Sequence, residues 1–432
     1  MMDLLKLLRS SSIEELFKKF YGNDDRIIAE NIHRYEKNTE DYVKYFSSVP
    51  HYLFSSPSRT EICGNHTDHN GGRVLAASVS PDSIAAVAKN DDNTIRIYSE
   101  GYPTPFKVVL KDLYPVEKEK GTTTALIRGI AARFKELGFE IGGFNATVQS
   151  KVLIGSGLSS SASIEVLIGI ILNHLFNRNE ISPKDLALIG QYAENNYFNK
   201  PCGLMDQLTI AIGGIVSIDF KDSENPRVRT VDFDISTENY GLLVVDTGGS
   251  HADLTDDYSS IAREMKAVAR ELGGTVCRDI SFQNLIDRLP QLRLKVGDRA
   301  ILRAIHFLED DRRVLEQVEA LESKDFSTFL NLVNDSGNSS CRWLQNCYTT
   351  KNPSEQGLSL ALALTENFIK RTGIDGACRV HGGGFAGTIQ VFMRNDLIES
   401  YIELIENSFT KGCVMKLHFR PVGARCLNSI PE

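Results

Sequence analysis

Fifteen residues, 58–72 (SRTEICGNHTDHNGG), bring together one arginine, two carboxylates, two histidines, two asparagines and three glycines. Such a stretch is too polar for a buried strand and too rich in hydrogen-bonding groups for an idle turn. A second segment, 155–163 (GSGLSSSAS), has a strand (ATVQSKVL) running into it and a helix (SASIEVLIGIIL) running out. Glycines allow tight turning and close backbone approach. The helix start behind them offers unpaired N–H groups and a partial positive charge, which together make a phosphate site. Serine hydroxyls add donors and a hard ligand for Mg²⁺. No Gly-Lys-Ser/Thr follows, so this is not a Walker A loop. A plain serine cap with flexible glycines is the simpler reading, but two glycines and three consecutive serines at this junction favour phosphate.

Two further segments carry polar groups in unusual company. Residues 381–387 (HGGGFAG) fit G-x-G-x-x-G in form, yet the strand TIQVF follows where a dinucleotide fingerprint needs a helix, so that reading is rejected. A glycine hairpin is the simpler reading; a backbone loop passing close to phosphates or sugar is the functional one. Residues 201–207 (PCGLMDQ) set Asp206 among Leu204, Met205 and Leu208. A carboxylate there either caps a helix, the simpler reading, or works as a base. Phosphoryl transfer needs a phosphate cradle, Mg²⁺, a cation at the moving group and a carboxylate that orients the acceptor. The chain has a candidate for each: the 155–163 loop, a serine with Glu194, Arg59, and Asp206.

The elements that must position these groups alternate in blocks. Residues 1–47 read as helices, with Ser12 and Glu15 as a capping box. From Tyr52 to Val109 short β-rich runs (VLAASVS, SIAAVAKN, NTIRIYSE, FKVVL) suggest a sheet. Helices are expected over 122–137, 161–176, from a Ser182 cap with Pro183 at the first position to Tyr197, over 256–272, through most of 279–370, and over 395–407. Strands are expected at GFNATVQSKVL, GIVSIDF, VRTVDFD, YGLLVVDT, GACRVHGG, GTIQVFM and CVMKLHF. Strands in runs and helices in runs make an α+β protein.

Composition bounds the function. The chain of 432 residues has 42% apolar and 24% charged residues and a net charge of −8, so a basic nucleic-acid groove is not expected. Eight scattered cysteines show no C-x-x-C pair or zinc spacing and suit a reducing cytoplasm. The amphipathic start lacks the apolar core of a signal peptide, and no apolar run is long enough to span a bilayer.

In their order, the four segments resemble the GHMP small-molecule kinases, and within them the galactokinases. The galactokinase signature Gly-Arg-Val-Asn-Leu-Ile-Gly-Glu-His-Thr-Asp-Tyr-Asn-Gly-Gly is matched by residues 58–72. The family's Gly-Leu-Ser-Ser-Ser-Ala stands at 157–162, its Cys-Gly-(Ile/Met)-Met-Asp-Gln at 202–207 after Ala193-Glu194-Asn195, and its third motif resembles 381–387. The likeness covers most of the chain from about residue 50 onward.

The resemblance implies a domain like ribosomal protein S5 domain 2 at 48–235, a ferredoxin-like domain at 236–432, and a helical extension at 1–47. ATP and sugar would lie in the cleft between the two domains. It implies that Asp206 orients or deprotonates the anomeric hydroxyl and that Arg59 stabilises the transferring phosphoryl group. Ser161 and Glu194 would hold Mg²⁺. Gly155, Ser156, Gly157, Leu158, Ser159, Ser160 and Ser161, with Gly383 and Gly384, would line the ATP phosphates. Asn65, His66, Asp68, Gly203 and Tyr258 would meet the sugar. Partners are then a small sugar and ATP, with no nucleic acid, no membrane, and a monomer or dimer in the cytoplasm.

Departures from the pattern bear on the sugar. Glu61 replaces asparagine, Asn65 replaces the glutamate that takes the 6-hydroxyl, His69 replaces tyrosine, and Leu153 replaces proline. The 247–258 segment (TGGSHADLTDDY) also differs. Asparagine donates as well as accepts. A C6 carboxylate that glutamate would repel is thus tolerated, yet galactose remains the expected substrate, and a C6-modified hexose such as galacturonate is the alternative. A non-catalytic sugar and ATP sensor on this scaffold is the competing class, opposed by the intact Arg59, Asp206 and serine loop. A mevalonate or homoserine kinase is opposed by the HTDHNGG form.

Overall fold

A computed structural model describes residues 2–153, 155, 157–249 and 254–429. Its first sheet has eight strands: β1 (Tyr52–Cys63), β2 (Arg73–Lys89), β3 (Thr94–Ser99), β4 (Phe106–Val109), β5 (Phe144–Ser150), β6 (Ile215–Asp219), β7 (Arg227–Val231) and, in a second sheet's sequence range, the returning strand β12 (Arg425–Cys426). The order is β12-β1-β2-β5-β3-β4, with β6 and β7 joined along the first part of β2. The second sheet comprises β8 (Tyr240–Asp246), β9 (Ala377–His381), β10 (Thr388–Arg394) and β11 (Val414–Leu417), in the antiparallel order β11-β8-β10-β9.

The first sheet is buried on both faces, and the alternation of its side chains shows it. Phe54, Ala85 and Val87 point toward α4 (Thr123–Glu136), α5 (Ser160–Phe176), α6 (Pro183–Ala193) and α7 (Met205–Ile212). Leu53, Ile84, Ala86 and Ala88 point the other way, into a core made with α1 (Met2–Leu8), α2 (Ser11–Tyr21) and α3 (Asp25–Phe46). The helical extension is thus the cover of one sheet face. Its cap is Ser10, which accepts from the Ile13 N–H, two residues before the expected Ser12. Beneath it Asp82 is fully buried, met by Arg34 at 2.5 Å, Ser55 at 2.6 Å, Tyr21 at 2.7 Å and Arg420 at 3.4 Å.

Two elements differ from the sequence expectation in an instructive way. VLAASVS and SIAAVAKN form one 17-residue strand, β2, that runs through Pro81; a register shift against β1 at Pro57/Ser58 absorbs the residue without an N–H. Residues 58–63 belong to a buried strand, although they are polar. Ser58, Arg59, Thr60 and Glu61 are at most 7% exposed because each finds a partner from a distant segment.

The second sheet is flanked by α11 (Asp298–Glu322) and α12 (Phe326–Ser339) on one face and by α13 (Gly357–Thr372) and α14 (Ile398–Ser408) on the other. Three further helices, α8 (Thr255–Glu271), α9 (Phe282–Asp287) and α10 (Leu289–Lys295), pack with α11 into a separate apolar cluster. No helix among the described residues is long and apolar enough to cross a membrane.

Candidate active site

Arg59 leaves β1 toward the first turn of α7. Its Nε and Nη2 donate to the two Asp206 oxygens at 2.7 and 2.9 Å, a two-pronged geometry that fits guanidinium to carboxylate. Its Nη1 donates to the Gly157 carbonyl, tying the pair to the 155–163 loop. Asp206 is not a helix cap: Leu204 stands at the cap position of α7 and makes no side-chain cap bond. The Ser159 hydroxyl donates to Asp206 Oδ2. Burial pushes the Asp206 carboxyl up, but the Arg59 charge and hydrogen bonds, with Ser159 and Lys200, outweigh it and hold it below the ordinary aspartate range.

The loop meets this pair with its backbone. Ser159 is left-handed (φ 62°, ψ 60°) just before the first residue of α5, Ser160, and caps nothing, its hydroxyl being turned to Asp206. Gly157 packs so closely under His381 and Thr388 that a Cβ would lie 2.9 Å from the imidazole. Gly155 is exposed with open space beside it. Leu158 is fully buried, and its carbonyl accepts from the Arg59 N–H at 3.3 Å. Ser156 lies outside the described residues.

Behind the loop, the Ser161 hydroxyl donates to Glu194 Oε1 at 3.0 Å, and Lys200 Nζ stands 3.1 Å from the same oxygen. Gln207 Nε2 bridges Glu194 at 3.1 Å to Glu165 at 2.9 Å. Burial, reinforced by the Glu194 charge, raises the Glu165 carboxyl well above its ordinary value. One hydroxyl and one carboxylate, hard oxygen donors with a cation already drawn to them, fit a Mg²⁺ that takes its remaining ligands from phosphates and water. No cluster of three or more His, Cys, Asp or Glu side chains arranged for a metal occurs among the described residues.

The polar loop 64–73 forms the opposite wall. Asp68 lies against Gly203, where a Cβ would collide with the Asp68 carboxylate. His66, itself left-handed (φ 59°), places Nε2 2.9 Å from the Gly383 carbonyl. A carbonyl only accepts, so Nε2 carries the hydrogen and Nδ1 is the bare acceptor nitrogen of a neutral ring. Burial lowers this histidine to about 4. Tyr258, from α8, donates to the Gly384 carbonyl at 3.0 Å and packs edge-on against Phe385.

The glycine segment is indeed a hairpin, with His381 opposite Thr388. It stands between the two loops and locks them: Gly382 and Gly383 accept from Asn65 and His66, and Gly382 approaches Gly157. Arg59, Gly157, Ser159, Asp206, Gly203, Asp68, His66 and the hairpin therefore form one continuous set.

Asn65 departs from the sugar-facing role expected of it. It is 1% exposed, and its amide is fully used inside the protein. Nδ2 donates to Glu61 and the Gly382 carbonyl, both at 2.8 Å, while Oδ1 accepts from Asn346 at 2.7 Å and Ser340 at 3.4 Å. Glu61 in turn meets Arg379 at 3.3 Å. The Glu61–Asn65 pair is a brace between the two sheets, and the Asn65 amide has no hydrogen-bonding capacity left for a ligand.

Sequence reasoning missed the residues that hold the wall from behind: His306, Asp310, Asp311, Asn346 and Arg379. The run EDDRR in a long helix reads as a solvated face, and only a histidine one turn before it hinted otherwise.

Comparison with known proteins finds relatives of one family. Residues 125–214 match the GHMP kinases N terminal domain, and residues 40–89 match the Galactokinase galactose-binding signature. A galactokinase of Glaesserella parasuis is 29% identical over 382 residues, covering 87% of this chain and 94% of the relative. One from Streptomyces coelicolor is 29% identical over 371 residues, covering 86% and 92%. In fold, the chain is similar to Lactococcus lactis galactokinase complexed with galactose (TM-score 0.76, 21% identity, 90% and 99% covered) and to Methanococcus jannaschii mevalonate kinase (TM-score 0.60, 15% identity, 85% and 98% covered). Two ordered family matches hold the Arg59 loop and the Ser159 loop: the chain carries a GHMP kinase N-terminal domain and a galactokinase galactose-binding signature, in a fold similar to that of both kinases.

Proposed function

We propose that the protein transfers the γ-phosphoryl group of ATP to the anomeric hydroxyl of galactose, giving galactose 1-phosphate and ADP. The observation that carries this reading is the Arg59–Asp206 pair, set where the serine loop and the 64–73 loop converge. Asp206 accepts a hydrogen bond from the C1 hydroxyl and orients its oxygen toward the phosphorus. As the O–P bond forms and the bond to the leaving ADP oxygen breaks, the hydroxyl proton passes to an Asp206 oxygen. Because Asp206 is held ionised, it is a ready acceptor but a weak base, which suits proton transfer late in the step. Arg59 balances charge on the transferring group and prevents Asp206 from repelling it.

Ser161 and Glu194 would hold Mg²⁺, which supplies charge neutralisation across the phosphates when bound. The backbone of 155–161 cradles the phosphates. Asp68, the bare His66 Nδ1 and Gly203 border the sugar. With its amide held inside the protein, Asn65 gives no argument for a C6 carboxylate, and the galactose-binding signature over residues 40–89 supports galactose. Eight cysteines outside any disulfide fit a reducing, cytoplasmic setting.

The test is ADP release with ATP, Mg²⁺ and a panel of aldoses, for the wild type and Asp206→Ala. Galactose-dependent release abolished by the substitution is expected. Binding of galactose and ATP without turnover would make the protein a sensor instead.

A further inference from the structure

The loop that carries His66 and Asp68 is unusual in its backbone. Gly64 and Gly71 turn at φ 89° and 72°, as glycine readily does, but His66 between them has φ 59°, a conformation that a residue with a side chain keeps only where the surroundings over-determine it. Part of that determination is internal: the Thr67 hydroxyl bonds the Gly64 and Arg73 carbonyls at 2.8 and 2.6 Å. The rest comes from one helix, α11.

Asp310 is fully buried and its Oδ2 accepts from the Gly64 and Asn65 N–H groups, both at 3.0 Å. The next residue, Asp311, accepts from the Arg73 N–H at 2.7 Å and from the Arg73 guanidinium at 2.7 Å. Adjacent helical residues point about 100° apart, so one reaches the loop's entry and the other its exit. Each is anchored from behind, Asp310 by Arg313 and Ser336, Asp311 by Arg278. One turn earlier, His306 Nε2 bonds the Asn65 carbonyl at 2.9 Å while Nδ1 meets Ser339 at 2.8 Å. The carbonyl only accepts, so Nε2 carries the hydrogen and Nδ1 takes the serine proton.

We infer that Asp310 and Asp311 are positioning residues that clamp both ends of the sugar loop and thereby set affinity for the sugar, separately from affinity for the nucleotide. The inference rests on the reading of 64–73 as the sugar wall. The bonds run to backbone N–H groups, so they act on where His66 and Asp68 stand and not on the substrate itself. The nucleotide side has no part in the clamp: among the described residues, neither aspartate bonds the 155–161 loop or Glu194.

Asp310→Ala and Asp311→Asn in the full chain test this, beside Asp82→Asn as a buried-charge control under the α1–α3 cover. For the clamp variants, KM for galactose is expected to rise about tenfold while KM for ATP stays within about twofold, because a small misplacement of binding groups is costly only to the ligand they touch. The control is expected to lower the melting temperature without that split. Equal rises in both KM values, or a melting loss with galactose KM unchanged, would overturn the clamp. Amide exchange gives a readout that needs no turnover: segment 61–75 should exchange faster in Asp310→Ala, and unchanged exchange there sinks the inference. Absence of galactose turnover in the wild type would instead count against the proposed function and leave the exchange result to decide the clamp.

Discussion

Arg59 and Asp206 are 147 residues apart in sequence and meet side by side, two N–H donors on two carboxylate oxygens at 2.7 and 2.9 Å. A fork of this kind specifies direction as well as charge. Lysine keeps the charge but offers one point of contact. Arg59→Lys is therefore expected to lower kcat on the order of 100-fold with little change in galactose KM, measured by steady-state ADP release. A loss confined to KM would mean that the pair serves binding only.

Acid should weaken the fold in a defined window. The His66 ring is pushed down from 6.5 to about 4 by burial, so between those values the unfolded chain binds a proton that the folded protein refuses. Stability then rises with pH across the window and is lost as pH falls from 6.5 toward 4. Asp206 works at lower pH: its folded value is depressed below 3.8, so its contribution is present above that value and disappears only as pH falls beneath it. Melting temperatures of the wild type and His66→Gln from pH 4 to 7.5 check this. The variant should show a shallower acid slope; parallel curves would contradict the assignment. Some slope should persist, because His306 is also lowered by burial.

Gly203 is a test of fit at the sugar wall. A methyl group there meets the Asp68 carboxylate, and one of the two must move. Gly203→Ala should raise galactose KM by about tenfold and leave ATP KM nearly unchanged. Unaltered galactose affinity would show that Asp68 has room to yield.

The brace between Glu61 and Asn65 predicts a reciprocal pattern. Asn65→Glu sets a second carboxylate at the position 2.8 Å from Glu61 and removes the donor to Gly382. The cost should be on the order of 3 kcal/mol in denaturant unfolding. Adding Glu61→Gln should recover a large part of it, since the new amide can donate to the new carboxylate. No recovery would locate the damage at the Gly382 carbonyl.

Local chemistry was legible where it is local. The serine loop at a strand-to-helix junction, the 381–387 hairpin followed by a strand, and the Ser182–Pro183 helix start all follow from neighbours in sequence, and the structure contains each. Residues 58–63 were misjudged because their burial depends on groups far along the chain. Thr60 meets His381, Glu61 meets Arg379, and Arg59 meets Asp206. Polarity argues for exposure only until a partner is found. Asn65 shows the converse limit. Its exchange for glutamate looked like a change of substrate preference, but its partners Asn346 and Ser340 lie some 280 residues away and absorb the change within the protein. Asp310 and Asp311 were invisible for the same reason.

The meeting point at Asp82 also joins the two ends of the chain. Arg34 comes from the amino-terminal helices, Asp82 from the central strand, and Arg420 from the last tenth of the chain, where β12 goes on to close the free edge of β1. Arg34 already balances the Asp82 charge, so what residues 420–426 add to the first sheet is a second cation at Asp82 and a partner for the β1 edge. Residues 420–426 thereby cover a row of β1 backbone groups that, left open, would be a template for mispairing.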